Sequence, residues 1–366
     1  MPTFNIIRES KPAKTFRVAS VIGKFDLSSE HIVEQFTGDI NIPNEWQIGL
    51  IVGKSGTGKT TISKELFPES YITNFEYKES SILDDMPKNK SVEDITSAFN
   101  SVGFSSPPSW LKPYSALSNG QKMRVDLANA MLSDKKMFVF DEFTSVVDRN
   151  VAQIGSFAMQ KAIRKTDKKF IAVTCHFDVE DWLLPDWVFD TDTMTFRTCE
   201  GQKKNRPEIK FEIFSTNDKT IWKMFAKHHY LSHTHHDAAS VYVAAINNQI
   251  AGFLSVLHFP NKVHKNFKKV HRLVILPDYQ GAGFGVKFLT EIAKKYREDK
   301  YIFGITTSSP SLIYSLKKKL EWICIHFGKV TPHKGLSQLK KTASTNRLVA
   351  SFMIKTSEIH RNGKAD

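Results

Sequence analysis

The 366-residue chain has little cysteine: only Cys175, Cys199 and Cys324. Three scattered thiols cannot staple a fold, so a disulfide framework is excluded and a reducing compartment, the cytoplasm, is the expected home. No apolar run approaches the roughly 18–20 residues that cross a bilayer, so no membrane partner or span is expected. The first 14 residues lack an apolar core segment, so no secretory leader is expected. There is no internal repeat and no low-complexity tract. With 41% hydrophobic and 24% charged residues, the composition is that of a folded chain, long enough for two or three domains.

Acidic residues are scarce in one half only. Residues 1–204 hold 25 Lys+Arg against 27 Asp+Glu, whereas residues 205–366 hold 26 against 11, and together they give the net +13. A basic half suits a polyanion such as nucleic acid. A CoA nucleotide and simple solubility would also account for it.

Strand-like and helical stretches alternate along the first half. Residues 1–19 read as a polar arm or an edge strand. Gly49–Val52, Met137–Phe140 and Phe170–Thr174 read as short buried strands, with helices expected near 60–66, 92–102, 120–132 and 151–164. This βα alternation implies a largely parallel sheet with helices on its faces. The polar stretch Gly201–Pro207 is the best linker. Beyond it, strands near 208–214, 240–246, 250–258, 269–276 and 301–306 surround helices near 219–227, 283–296 and 310–319. The expected domains are 1–204 and 205–366, both α/β, the second with a mixed sheet.

Gly53-Lys-Ser-Gly-Thr-Gly-Lys-Thr60 fits the phosphate-binding pattern G-x-x-x-x-G-K-[ST] between a strand and a helix. Gly53, Ser55, Gly56 and Gly58 let backbone N–H groups wrap phosphates. Lys59 reaches the terminal phosphates, Thr60 binds Mg2+, and Thr61 follows in the helix's first turn. After the apolar strand Met137–Phe140, Asp141 is placed to hold Mg2+ and Glu142 to polarise the attacking water. Between these two motifs lies Leu117-Ser118-Asn119-Gly120-Gln121, which resembles the ABC-ATPase signature with Asn119 in place of its first glycine. Thr144–Asp148 resembles the D-loop, and Thr174-Cys175-His176 the switch histidine. The resemblance implies that Ser118, Gly120 and Gln121 meet the γ-phosphate held by a second protomer, that His176 helps to position the water, and that ATP promotes a homodimer. Two departures stand out. No glutamine between Thr60 and Leu117 fits the Q-loop, Asn74 being a poor candidate. About 57 residues separate Thr60 from the signature, which leaves little room for a transporter's helical subdomain. An ABC ATPase without a transporter subunit is therefore expected.

The second informative stretch is His271-Arg-Leu-Val-Ile-Leu-Pro-Asp-Tyr-Gln-Gly-Ala-Gly-Phe-Gly285. A strand, a turn and a glycine-rich loop open an amphipathic helix. The stretch resembles motif A of the GNAT acyltransferases, with Gln280, Gly283 and Gly285 in the motif positions. The resemblance implies that the backbone of Gly281, Ala282, Gly283, Phe284 and Gly285 binds the CoA pyrophosphate, and that the strand near Ile275 holds the pantetheine arm and acyl carbonyl. It also implies a tyrosine, here Tyr314, that protonates the departing thiolate; core packing of Tyr314 is an equal alternative. The run His228–His236 lacks the partners of a usual zinc site, since only Asp237 is near. His229 and Tyr230 are candidates for a general base or substrate contact, and structural histidines remain the alternative. The His-Tyr pair resembles the Mom-type relatives that modify DNA adenine. The basic runs Lys262–Lys269 and Lys317–Lys319 suit phosphate contact or a solvated surface.

Taken together, the chain resembles predicted ABC-ATPase–acetyltransferase fusion proteins of phages and prokaryotes. The cofactors implied are ATP, Mg2+ and acetyl-CoA or another acyl-CoA, in the host cytoplasm if the protein is phage-encoded. The expected activity is acyl transfer to a nucleic-acid base or an amine bound to nucleic acid. Two alternatives stay open: a nucleic-acid-binding ATPase of repair or defence type with a non-catalytic GNAT fold, and an ATP-regulated protein or small-molecule N-acetyltransferase.

Overall fold

The computed structural model describes residues 3–10, 15–26, 32–73, 75–199, 208–229, 234–260, 264–329 and 348–355. Asn74, Tyr230, Lys262 and the linker 201–207, with the expected boundary at 204, lie outside the described residues. Packing divides the chain into two compact units. The first draws on Met1–Glu76, Ser133–Asp148 and Met159–Pro207, the second on Tyr77–Leu132, Arg149–Ala158 and Glu208–Asp366.

The first unit opens with a two-stranded antiparallel ribbon, β1 (Thr3–Ser10) and β2 (Ile32–Asp39). Where the sequence suggests only an arm or edge strand before residue 20, a helix also forms, Phe16–Phe25, capped by Thr15, whose hydroxyl accepts from the Val18 N–H. The unit's main sheet holds β3 (Ile48–Val52), β4 (Met137–Phe140), β5 (Lys169–Thr174), β6 (Trp187–Asp190) and β7 (Thr195–Thr198), in the order β4-β5-β3-β6-β7. The first four are parallel and β7 is antiparallel. All five residues of β3 are buried, which is why its sequence runs apolar instead of alternating. In such a sheet functional loops gather at the carboxyl ends of neighbouring strands. Residues 53–60 leave β3, Asp141 leaves β4 and Cys175-His176 leaves β5 at that edge.

At the opposite edge, the Asp186 carboxylate accepts from both guanidinium ends of Arg164 at 2.7 and 2.8 Å, and from the backbone N–H groups of Gln47 and Ile48 at 2.8 and 2.9 Å. Burial raises its pKa, but these donors win and hold it below the usual carboxylate range.

The second unit carries a seven-stranded sheet. Its strands are β8 (Phe211–Thr216), β9 (Ser240–Ile246), β10 (Gln249–His258), β11 (Phe267–Ile275), β12 (Ile302–Thr307), β13 (Trp322–Lys329) and β14 (Leu348–Ile354). The order is β13-β14-β12-β11-β10-β9-β8, antiparallel except for the parallel pair β11–β12. The helix Phe284–Glu298 covers one face through Phe288, Leu289 and Ile292, against Leu254, Phe303 and Phe352. On the other face Trp222 and Phe225 pack on Phe253 and Val274. The unit also contains the helix Asn119–Leu132, which follows Ser118.

Asp186→Ala is expected to cost about 1.5–3 kcal/mol, the range for hydrogen bonds to a charged group. Chemical denaturation followed through the first unit's tryptophans would show it; an unchanged midpoint would contradict the structural role of this carboxylate.

Candidate functional site: a phosphate loop and a strand–loop–helix groove

In the first unit, Gly56 and Gly58 adopt φ of 86° and 84°, and Gly58 caps the helix Lys59–Leu66. A side chain in this conformation would be strained, and at Gly58 a β-carbon would also come within 2.4 Å of the Phe36 ring. Lys59 is buried, and its ammonium donates to the Lys54 carbonyl at 2.6 Å across the loop. The Thr60 hydroxyl donates to Asp141 Oδ2 at 2.7 Å. Sequence reading missed Tyr71. Residues 70–72 pair along β4, Val139 N donating to the Ser70 carbonyl and Ile72 N to the Val139 carbonyl, and the Tyr71 hydroxyl donates to the same Asp141 oxygen at 2.5 Å. Burial, then Asp141, keeps Tyr71 protonated. Two adjacent hard oxygen donors, Thr60 and Asp141, fit Mg2+, and an open glycine loop before a helix fits a polyphosphate.

The other expected residues of this unit lie around that pair. Ser55 is exposed at the loop tip and the Thr61 hydroxyl accepts from Arg8 at 3.5 Å. Glu142 is exposed, with φ of 52°, and its N–H donates to Asp141 Oδ1 at 2.8 Å. His176 is half-buried at the end of β5, its N–H donating to the Thr174 hydroxyl at 3.2 Å. In the second unit, Ser118 and Gln121 cap the signature helix reciprocally. The Ser118 N–H donates to the Gln121 side chain at 3.1 Å, and the Gln121 N–H donates to the Ser118 hydroxyl at 3.4 Å. Ser118 is exposed while Gly120 is buried.

The groove of the second unit begins where two strands part. β11 and β12 pair at Phe267↔Ile302, Lys268↔Phe303 and Lys269↔Gly304 and no further. β12 then pairs only with β14, and β11 only with β10. Among the described residues, the stretch from Val270 to Ile275 therefore has no strand on its β12 side. It leads to the loop Gln280–Gly283 and the helix that Gly283 caps at φ 92°. Among the described residues, nothing lies within 4 Å of where a Gly283 side chain would start, so the helix end is open there. The open first turn and glycine cradle fit the pyrophosphate of a CoA nucleotide. Gln280 donates to the Ile275 carbonyl at 2.8 Å, Ala282 packs near Tyr279, and the Phe284 ring stacks on Phe211 at 5.6 Å.

A bulge re-aims one side chain beside this groove. Ser255 pairs with Arg272 and Val256 with Val270, which leaves His271 as the extra residue. Its ring lies 5.6 Å from His235 and 6.4 Å from His236, and the Nε2 atoms of His235 and His271 are both buried with no hydrogen-bond partner among the described residues. Burial first, then Arg272, His235 and His236, push the His271 pKa down to about 4. The expected His229 is buried against Trp222 at 5.8 Å. Trp222 also meets His235 at 5.8 Å. Tyr314 is 57% exposed, and Lys318 donates to its hydroxyl. Among the described residues no group of three His, Cys, Asp or Glu side chains could hold a metal. Several of the basic residues sit over aromatic rings, Lys268 on Tyr301 at 4.8 Å and Lys317 on Phe327 at 3.9 Å.

Two known family models match separate parts of the chain. Residues 63–145 match the family model described as ABC transporter, and residues 206–311 match that described as Acetyltransferase (GNAT) family. The chain joins an ABC-type ATPase region to a GNAT-type acetyltransferase region. The ABC-type match spans the signature and Asp141-Glu142 and starts just after the phosphate loop; the GNAT-type match contains the whole loop Gln280–Gly285. Both regions are enzyme families, and their fold class is α/β with a mixed sheet in the GNAT-type region. Among curated proteins, an Enterococcus faecalis protein whose name assigns it as an ABC transporter ATP-binding protein is 25% identical over 177 residues, covering 38% of this chain and 30% of its own. The mRNA export factor elf1 of Schizosaccharomyces pombe is 27% identical over 176 residues, covering 45% of this chain and 15% of its own. The chain thus spans less than a third of the length of these curated relatives. Among solved structures, a dimeric ATP-binding cassette with ADP and phosphate covers 46% of this chain and 94% of its own at 13% identity and TM-score 0.37. An IAA acetyltransferase from Bacillus cereus covers 40% and 100% at 13% identity and TM-score 0.31. No helix among the described residues is long and apolar enough to cross a membrane.

The GNAT-type region carries a pH signature. His271 has a folded pKa below its ordinary value, so the unfolded chain binds the extra proton first, and stability is lost as pH falls from about 6.5 towards 4. His271→Gln is expected to flatten that part of the melting-temperature profile. An identical acid slope in both proteins would contradict a neutral, buried His271.

Proposed function

We propose that the chain hydrolyses ATP at Lys59, Thr60, Asp141 and Glu142, and transfers an acyl group from acyl-CoA to an amine of a nucleic acid or an amine bound to one. The observation that carries the transferase reading is the parting of β11 and β12 beside the open helix end at Gly283. That combination supplies an extended strand edge for an acyl-pantetheine arm and N–H groups for a pyrophosphate.

On this reading the acceptor amine attacks the thioester carbonyl; the C–N bond forms, the C–S bond breaks and CoA leaves as the thiolate. His271, neutral at physiological pH and re-aimed by the bulge, takes the proton from the amine, with His235 beside it. Tyr314 gives a proton to the thiolate. Lys318 donates to its oxygen, which stabilises the phenolate left behind. His229 braces Trp222 beneath His235. The polyanion preference rests on the charge of residues 205–366.

At the ATP site, Thr60 and Asp141 would hold Mg2+, which would supply charge neutralisation for the phosphates. Lys59 and the loop N–H groups bind the phosphates, Glu142 orients water, and His176 stands at the neighbouring strand end. Ser118, Gly120 and Gln121 would meet ATP held by a second copy, so ATP should assemble a dimer in the cytoplasm.

One observation favours the alternative of a binding module. Gln280 and Gly281 pack against Ser105, Gly103 and Ala158, so one flank of the loop is covered by protein. Transfer of label from radiolabelled acetyl-CoA to DNA, RNA, polyamine and protein pools, with and without ATP-Mg2+, separates the readings. ATP-dependent label on nucleic acid is expected. Label on protein or polyamine alone would overturn the acceptor, and no label on any pool would leave a binding module.

Lys59→Ala should weaken ATP binding by roughly 100-fold or more. Glu142→Gln should keep ATP binding, lower turnover by about 100-fold or more and accumulate dimer. Unchanged ATP turnover in either variant would contradict the assigned roles.

A further inference from the structure

Arg124 lies in the second turn of the signature helix and is fully buried, at 0% exposure. A buried guanidinium ordinarily demands a carboxylate, because a charge removed from water is costly to leave unpaired. Here its hydrogen bonds go to two backbone carbonyls instead. Nη1 donates to the Pro277 oxygen and Nη2 to the Asp278 oxygen, the latter at 2.7 Å. These carbonyls belong to the single turn Pro277–Tyr279 that immediately precedes the loop Gln280–Gly285. Burial lowers the pKa of Arg124 to about 10, while Asp278 opposes the shift, so the group stays charged at neutral pH.

Further contacts seat the same loop and its surroundings on the same part of the unit. The Ser105 N–H donates to the Gln280 side-chain oxygen at 3.0 Å. Gly103 and Gly281, both left-handed, lie back to back. A β-carbon on Gly103 would come within 2.5 Å of the Gln280 carbonyl oxygen, and one on Gly281 within 2.7 Å of the Gly103 α-carbon. The Asn247 amide donates to Asn150 at 3.0 Å and to Gln153 at 2.9 Å, beside Ile154, which packs with Tyr279 and Phe284. The loop is thus held from behind by the helical segments of residues 103–132 and 149–158, while its Gly283 end stays open.

We propose that Arg124 is the positioning residue of the acyl-CoA loop, and that through it the signature helix links ATP engagement to acyl-CoA binding. The inference rests on the reading of Gln280–Gly285 as a CoA loop and of Ser118 as a γ-phosphate contact. Ser118 and Arg124 are six residues apart on one helix, about 9 Å along its axis. A tilt or shift of this helix when Ser118 engages phosphate moves the donors that hold the Pro277 and Asp278 carbonyls. The loop N–H groups then move with the turn. The coupling is reciprocal, so acyl-CoA must change ATP affinity by the same factor as ATP changes acyl-CoA affinity.

The test is titration calorimetry on the intact chain with acetyl-CoA, alone and with saturating AMP-PNP-Mg2+. Wild type is expected to show an acetyl-CoA affinity that AMP-PNP shifts by about fivefold or more. Arg124→Met should bind acetyl-CoA about tenfold or more weakly, lose the AMP-PNP shift, and keep AMP-PNP affinity within about twofold, with Arg124→Lys in between. In steady state the KM for acetyl-CoA should rise while kcat at saturation stays within about threefold. Wild-type acetyl-CoA affinity or a preserved AMP-PNP shift in Arg124→Met would overturn the proposal, as would a parallel loss of both affinities, which marks a general structural defect. Should Arg124→Met not fold, hydrogen exchange of wild-type residues 281–286 decides. A changed rate on adding AMP-PNP-Mg2+ supports the link and an unchanged rate overturns it. Wild type that binds no acetyl-CoA at all overturns the acyltransferase reading and the inference together, whereas normal binding with no effect of Arg124 overturns the inference alone.

Discussion

Both glycine-rich loops of this chain depend on one backbone constraint: a pair of left-handed glycines, two residues apart, set immediately before a helix. Gly56 and Gly58 hold φ of 86° and 84°, Gly281 and Gly283 both hold 92°, and Gly58 and Gly283 each cap the helix that follows. The conformation turns successive N–H groups towards one point and adds the positive end of a helix. L side chains rarely adopt it. The chemistry assigned to each half of the protein therefore starts from local geometry that only glycine supplies cheaply, and the remaining residues decide which phosphate compound each loop takes.

The two loops differ in what surrounds them. Around Lys59 the neighbours are hard oxygen donors, Thr60, Asp141 and Tyr71, meeting at one carboxylate oxygen. Around Gly283 there is no such cluster among the described residues. Its neighbourhood is an unpaired strand edge, apolar walls and a bulged histidine kept neutral by burial and by positive neighbours. The first setting suits a metal-bound triphosphate, the second a long thioester arm and an amine that must lose a proton.

Much of this was legible in the sequence because it is local. The phosphate loop, Asp141 at the end of an apolar strand, and the stretch from Ile275 to Gly285 each sit within a few residues of the element that positions them. Less legible was whatever depends on register or on distant packing. Tyr71 reaches Asp141 only because residues 70–72 pair along β4. His271 is singled out only by a bulge that the pairing with β10 creates. Arg124 reads as one more polar position on a helix, and its partners are carbonyls some 150 positions away in sequence. The strands Trp322–Lys329 and Leu348–Ile354 gave little signal for a related reason: Trp322–Lys329 is largely exposed, so its pattern lacks the alternation of a half-buried strand.

The central claim is that one chain holds two separate nucleotide sites, one for ATP and one for acyl-CoA. Because CoA itself carries an adenine nucleotide, a single promiscuous phosphate loop is the competing account. Equilibrium dialysis of labelled acetyl-CoA against increasing ATP-Mg2+, using intact protein and Lys59→Ala, addresses this directly. Separate sites predict one acetyl-CoA per chain that saturating ATP does not displace and that Lys59→Ala retains; displacement by ATP, or loss of acetyl-CoA binding in Lys59→Ala, would contradict them.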